Sequence, residues 1–391
     1  MPTIIQVPDA FQITPEPKVI TIRNSDRGTY RRCRRKWDLQ SALRQNYVSL
    51  GDSRAPLWFG SGFHFALEDF HGYNKFGDPR RAFDAYVAAT KPDLPDLSEH
   101  LELAEGMFEY YIDLWLPKHP GFETLWIDGK PQVEVDVQLD ITNQMWEFLC
   151  ERYGDEYAGM WWERVRERYS SGADFTIAIG QTFDRVCVDD EERIWGQDYK
   201  TAKKFSPGGE LERNGQAAQY YWALGKFYGT WAEGMLWQQH LKTVPEPPDE
   251  LKTGGFSLSK SQSTTYSMYH KALIDKYGKV PKGYIDVLNH LASLDTDAGD
   301  KYIRRDYIRK NEAHGRAEEK HILLEVHEML DPDIPIYPNP TRDCGWDCNY
   351  RDVSAMMDDG SDWEWMLQTE FKPFIGYDDS WRKRVEWPEA T

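Results

Sequence analysis

The segment PQVEVDVQLDI, residues 131–141, alternates apolar and polar side chains, the two-residue period of a strand with one buried face. The same character returns at 175–189 and 193–202. There GQTFDRVCVDDEERIWGQDYKTAKKF (180–205) predicts two strands joined by an acidic turn at Asp189, Asp190, Glu191 and Glu192. Helical spacing governs most of the rest. Residues 25–47 carry Tyr30, Cys33 and Trp37 at helical intervals, with Ser25 or Asp26 as N-cap. A second helix is predicted over 57–75, with Phe63, Leu67 and Phe70 on one face. Others are predicted over 80–91 and 98–116, the latter ending before Pro117. The Trp-, Glu- and Arg-rich stretch 142–170 reads as a helical insertion between strands. Beyond the strand pair come a helix at 213–228 and a strand at 233–243. The prolines and glycines of PEPPDELKTGG predict a linker. Helices at 261–277 and 282–293, a short strand at 301–308 and a long helix at 310–330 complete the pattern.

These elements predict an α/β fold, with a central mixed sheet flanked by helices and helical additions at both ends. Three regions are expected to work as one compact unit: a helical region at 1–125, a core at 126–245 and a second helical region at 246–391.

Composition narrows the class. With 40% hydrophobic and 29% charged residues, the chain is expected to be globular rather than disordered. No apolar run approaches the roughly 20 residues that span a bilayer, so no membrane partner is expected. The opening MPTIIQVPDAFQITPEP lacks a basic stretch followed by an apolar one, so no secretory signal is expected and the cytoplasm is the default location. A net charge of −18 argues against a generic nucleic-acid binder, but local patches decide binding. Residues 21–44 hold Arg23, Arg27, Arg31, Arg32, Arg34, Arg35, Lys36 and Arg44 against only Asp26 and Asp38. The end of the chain is acidic instead. Five cysteines, an odd number, do not read as a disulfide framework; Cys150 and Cys187 read as ordinary buried thiols.

The strand pair carries the chemistry. Asp184 and Asp198 on neighbouring strands can bring two carboxylates to one point, which suits a hard cation such as Mg²⁺ that takes oxygen ligands. Lys200, two residues past Asp198, returns to the same face, while Tyr199 points into the opposite packing layer. An ammonium beside a water and a phosphodiester can orient the nucleophile and stabilise developing negative charge. A same-face Asp198–Lys200 ion pair on an exposed strand is the plainer alternative.

With those residues stands a set of motifs. FDRV and IWGQDYKTAKK resemble the core of the PD-(D/E)XK nucleases, specifically the RecB-like exonuclease branch. FGSGFHFALE (59–68) resembles that branch's helix with a metal-approaching histidine, here His64. QAAQY (216–220) resembles its Q-x-x-x-Y motif, here Gln216 and Tyr220. The resemblance implies a restriction-endonuclease-like core and a Mg²⁺- or Mn²⁺-dependent deoxyribonuclease acting on linear DNA ends. Asp184, Asp198 and Lys200 would be catalytic. His64, Asp184, Asp198 and the Tyr199 carbonyl would hold metal, and Gln216 and Tyr220 would hold DNA. It further implies recombination, repair or CRISPR-type DNA processing, a phage-encoded form, and a strand-annealing recombinase or helicase as partner. Arg31, Arg34 and Arg35 on the basic helix are the expected DNA-backbone contacts. Taken residue by residue, His64 with Phe63 and Leu67 reads equally as a core histidine. Glu68 lies one turn further on the same face, as a metal-site partner or a surface pair. Glu134 in the alternating strand reads as a further site carboxylate or an exposed strand residue.

SDRGTYRRCRRKWDLQ (25–40) and NPTRDCGWDCNYRDVS (339–354) resemble the cysteine-bearing ends that clamp an iron–sulfur cluster in relatives. Cys33, Cys344 and Cys348 match three positions, but Ser354 stands at the fourth, and a conventional cluster needs four thiolates. The site is therefore read as degenerate: a lost cluster, a three-cysteine site, or zinc with a borrowed ligand.

Overall fold

The computed structural model describes residues 18–50, 55–374 and 379–388; the stretch read for a secretory signal lies outside them. A strand, β1 (Lys18–Arg23), leads into α1 (Asn24–Arg32) and α2 (Arg34–Gln40). The single helix predicted over 25–47 is thus two. Cys33 adopts extended backbone at the break, and its Sγ accepts a hydrogen bond from the Lys36 N–H as the N-cap of α2. Next come α3 (Ala55–His71), α4 (Pro79–Thr90) and α5 (Leu97–Glu109), the last continuing as a π-helical turn over Tyr110–Trp115. Then β2 (Val133–Asp140), α6 (Thr142–Tyr153) and α7 (Asp155–Ser170) precede the long β3 (Phe175–Val188) and β4 (Ile194–Ala202). The chain continues through α8 (Gly215–Tyr228), β5 (Gly234–Leu241), α9 (Tyr266–Tyr277), α10 (Ile285–Ala292), β6 (Ile303–Arg309) and α11 (Glu312–Leu330). It finishes with α12 (Arg351–Asp359) and α13 (Trp363–Glu370).

The predicted central mixed sheet is present. Its order is β1–β3–β4–β5–β6, with β2 and the short Glu123–Thr124 strand also on β3. The β1–β3 and β4–β5 pairs are parallel; the others are antiparallel. One face buries Ile177, Ile179, Trp222, Leu224 and Trp237 with Ile322 and Val326 of α11. The other buries Tyr199 and Ile303 with Phe59, Phe63, Phe108 and Trp115. Gly62 lets α3 close on α4, since a Cβ there would lie 2.6 Å from the Tyr86 ring. A smaller helical unit after the linker has its own core of Phe256, Tyr269, Leu273 and Leu288. No helix among the described residues is long and apolar enough to cross a membrane.

The register positions the site. Residues 178–180 of β3 pair with both β1 and β2, so those two strands lie on opposite edges. Arg185 pairs with both β2 and β4, which puts β4 on the same edge as β1. β1 therefore occupies 175–180 of that edge and β4 occupies 185–188, leaving 181–184 without a strand partner there. The sheet forks at Asp184.

Candidate active site

At the fork, the β3–β4 ladder stops at Arg185 opposite Gln197. Buried Arg185 holds that last rung, donating to Gln197 Oε1 at 2.9 Å. Beyond it Asp184 replaces the missing rung: its Oδ2 accepts the Tyr199 N–H at 2.7 Å. In an extended strand the N–H and C=O of one residue point to the same edge, so the Tyr199 carbonyl also faces the fork. The Tyr199 ring points the other way, stacked at 5.9 Å on His71.

α3 brings His64 over the fork, with Nδ1 3.5 Å from Asp184 Oδ2 and 3.5 Å from Glu134 Oε1. The three residues offer ligand atoms that all lie within 4.8 Å of one another. Glu134 is the residue to which the sequence assigned no definite role. It interrupts β2 with a left-handed backbone, φ 45°, between the Val133–Arg185 and Val135–Phe183 pairs. A non-glycine residue held there is strained, and such strain concentrates at functional positions. An acid in an alternating strand was the only local signal for it.

Asp198 is fully buried and turns to Lys200, whose Nζ lies 3.0 Å from Oδ1 and 2.8 Å from Oδ2. Gln216 Nε2 reaches Asp198 Oδ1 at 3.3 Å and the Tyr220 hydroxyl at 2.7 Å. Asn214 caps α8 by accepting from the Gln216 and Ala217 N–H groups, which fixes the first turn at the fork.

Electrostatics tie these groups together. Burial and the adjacent Asp184 push the Asp198 carboxyl up to about 7, against the opposing pull of Lys200. Burial also acts to raise Asp184, but the His64 ring, then Lys200 and the Tyr199 N–H, hold it below the usual carboxylate range. Burial opposes charge on His64, yet Asp184 and Glu134 hold its imidazole well above the ordinary value. Lys200 is held above the ordinary ammonium value by Asp198 and Asp184, against the cost of burial.

The donors fit a hard divalent cation: three carboxylates, one imidazole and a backbone carbonyl meet at one fork. Asp198 Oδ2 makes no hydrogen bond although it is buried, which leaves an oxygen lone pair free for a cation.

Other expected residues lie elsewhere. Glu68 accepts from Arg382 Nη1 at 2.7 Å, not from the His64 group. The basic helix turns its charge inward. Arg27 is buried and donates to Glu318, Glu325 and Gln219. Arg31 pairs with Glu318 and Glu325, Arg34 with Glu328, and Arg35 with Asp358. The structure thus commits to internal ion pairs the side chains expected to form a DNA-facing surface, because α11 and α12 present carboxylates directly opposite them. Arg31 also packs against Gly215 at the start of α8.

The two cysteine-bearing ends do meet. Arg32 pairs with Asp347, and Asn339 Nδ2 donates to the Arg32 carbonyl. Cys33 Sγ accepts the Asn339 N–H at 3.5 Å, and Cys344 Sγ accepts the Thr341 N–H at 3.3 Å. Cys33, Cys344 and Cys348 are free thiols that do not converge as a metal-ligating group among the described residues. At the fourth position, Ser354 Oγ accepts from the Arg35 guanidinium at 3.1 Å.

Two comparisons bear on this arrangement. The family model described as PD-(D/E)XK nuclease superfamily matches residues 25–353. No curated protein matches the chain.

Proposed function

The chain belongs to the PD-(D/E)XK nuclease superfamily, and from that premise we propose that it is a metal-dependent exonuclease of the RecB-like kind, hydrolysing phosphodiester bonds at DNA ends. The observation that carries this reading is the fork, where His64, Asp184, Asp198, Lys200 and Gln216 converge from two strands and two helices. His64, Glu134, Asp184, Asp198 and the Tyr199 carbonyl would hold one or two Mg²⁺ or Mn²⁺ ions. Such an ion supplies a water of lowered pKa and neutralises charge at the scissile phosphate.

The chain's own groups do the rest. Lys200, held between Asp198 and Asp184, positions the attacking water and stabilises the charge that develops on the phosphate. Gln216 fixes the orientation of Asp198, so the carboxylate is preorganised. Burial keeps the Tyr220 hydroxyl protonated, able to donate to a DNA phosphate oxygen. The three regions at 1–125, 126–245 and 246–391 act as one catalytic unit, and the sheet takes β1 from the first and β6 from the last. The setting we propose is end processing in recombination, repair or CRISPR-type pathways of a phage-encoded kind, with a strand-annealing recombinase or helicase as partner.

The test is a time course on 5′- and 3′-labelled linear DNA and on a covalently closed circle, with Mg²⁺ and with Mn²⁺. Loss of label from linear DNA with an intact circle supports the exonuclease. Cleavage of the circle replaces it with an endonuclease. Undiminished digestion by Asp198→Ala and Lys200→Ala removes the assigned residues.

A further inference from the structure

Beyond the fork, β4 and β5 run side by side to a common end. The Lys242 N–H, just past β5, donates to the Ala202 carbonyl at the end of β4 at 2.8 Å. Lys203 and Lys204 follow Ala202 directly, so Lys203 and Lys242 lie abreast at the carboxyl ends of two parallel strands. In α/β sheets this is the end at which ligands bind. Lys242 Nζ lies 5.1 Å from the Phe59 ring of α3, the helix that carries His64. Lys203 is three residues past Lys200, about 10 Å along an extended chain. That is the span of about three phosphates along one strand of a duplex.

The presentation of these lysines is built. The Ser206 N–H donates to Gln239 Oε1 at 2.8 Å, Arg304 donates to the Ser206 carbonyl, and the Arg304 guanidinium lies 4.8 Å from the Phe205 ring centroid. The turn is therefore pinned just beyond Lys204. Among the described residues, no ion pair or side-chain hydrogen bond is recorded for Lys203, Lys204 or Lys242. Half-burial, then repulsion from Lys203, holds the Lys242 ammonium below its ordinary pKa. The basic helix, in contrast, has its charges neutralised by α11 and α12.

We infer that Lys203, Lys204 and Lys242 form a rim that grips the backbone phosphates of the DNA strand flanking the scissile bond, without reading its sequence. This rests on the nuclease reading above. The strand then runs along the carboxyl ends of β4 and β5, beside α3, and the rim holds it in register for Lys200.

The probe is a fluorescein-labelled linear duplex with single-stranded tails. Its binding to the full chain is followed by anisotropy in EDTA over a salt series, with KM and kcat measured in Mg²⁺. Three lost contacts should flatten the slope of log K against log salt by about 2 to 3. KM should rise with kcat little changed, as for a uniform binding contact. The variants are Lys203→Gln/Lys204→Gln, both exposed and so without effect on packing, and Lys242→Met, which keeps the stem over Phe59. Lys279→Gln/Lys282→Gln, on the outlying helical unit, is the control and should match wild type. If the rim variants keep the wild-type slope and KM while wild type digests DNA, the rim is wrong and the nuclease reading stands. If wild type neither binds nor cleaves the probe, both fall.

Discussion

Glu134 offers a test in which stability and activity should move in opposite directions. Its left-handed φ of 45° costs an L-residue about 1–2 kcal/mol. Replacement by alanine keeps the Cβ and hence the strain, whereas replacement by glycine removes both. At an ordinary strand position glycine is about 0.5–1 kcal/mol less stable than alanine, because it loses more freedom on folding. At position 134 relief of strain outweighs that loss. Glu134→Gly should therefore be more stable than Glu134→Ala, by about 0.5–1 kcal/mol. For a chain of 391 residues this is only about 1 °C in Tm, so urea midpoints are the better measure. Both variants lose the carboxylate that lies 3.5 Å from the His64 ring. Loss of a group that merely orients a metal ligand costs about 10- to 100-fold in metal affinity, so the Mg²⁺ concentration for half-maximal activity should rise at least about tenfold. A glycine variant less stable than the alanine variant refutes the strain. An unchanged Mg²⁺ requirement refutes the carboxylate's role as a ligand.

Three further outcomes are expected. Mg²⁺ at about 100 times its Kd should add about 2.7 kcal/mol to the unfolding free energy, an increment that Asp184→Asn should lose; an equal gain in the variant would exclude Asp184 as a ligand. His327 Nε2 lies 2.9 Å from the Tyr157 hydroxyl, and burial holds its pKa below the ordinary 6.5. Above about pH 6.5 the ring is neutral folded and unfolded; on acidification the unfolded chain takes the proton first, so stability falls. His327→Gln should flatten that part of the profile in urea midpoints, and an unaltered profile would show that the ring does not contribute. Arg27 is fully buried between Glu318 and Glu325. Arg27→Ala strands both carboxylates and should cost about 3–5 kcal/mol by urea denaturation, partly recovered on adding Glu318→Gln; a loss under about 1 kcal/mol would mean that water reaches the pair.

The sequence by itself determined the strand pair, the face shared by Asp198 and Lys200, the opposite orientation of Tyr199, and the helix turn shared by Gln216 and Tyr220. Each follows from a local period, two along a strand or 3.6 along a helix, set by backbone geometry within a few residues. It also placed His64 on a helix. What lay opposite that helix was beyond its reach.

Tertiary structure decided the remainder. Registers along one edge of β3 left residues 181–184 without a strand partner and so made the fork. Glu134 joined His64 there through a left-handed backbone in the middle of an otherwise alternating strand. Arg31, Arg34 and Arg35 looked free because the acids that neutralise them lie roughly 290 to 320 residues further along. Glu68 found Arg382 instead of the site, and Ser354 found the Arg35 guanidinium. All of these depend on contacts between segments distant in sequence. Periodicity states which way a side chain points; only the packed sheet and helices decide what it meets.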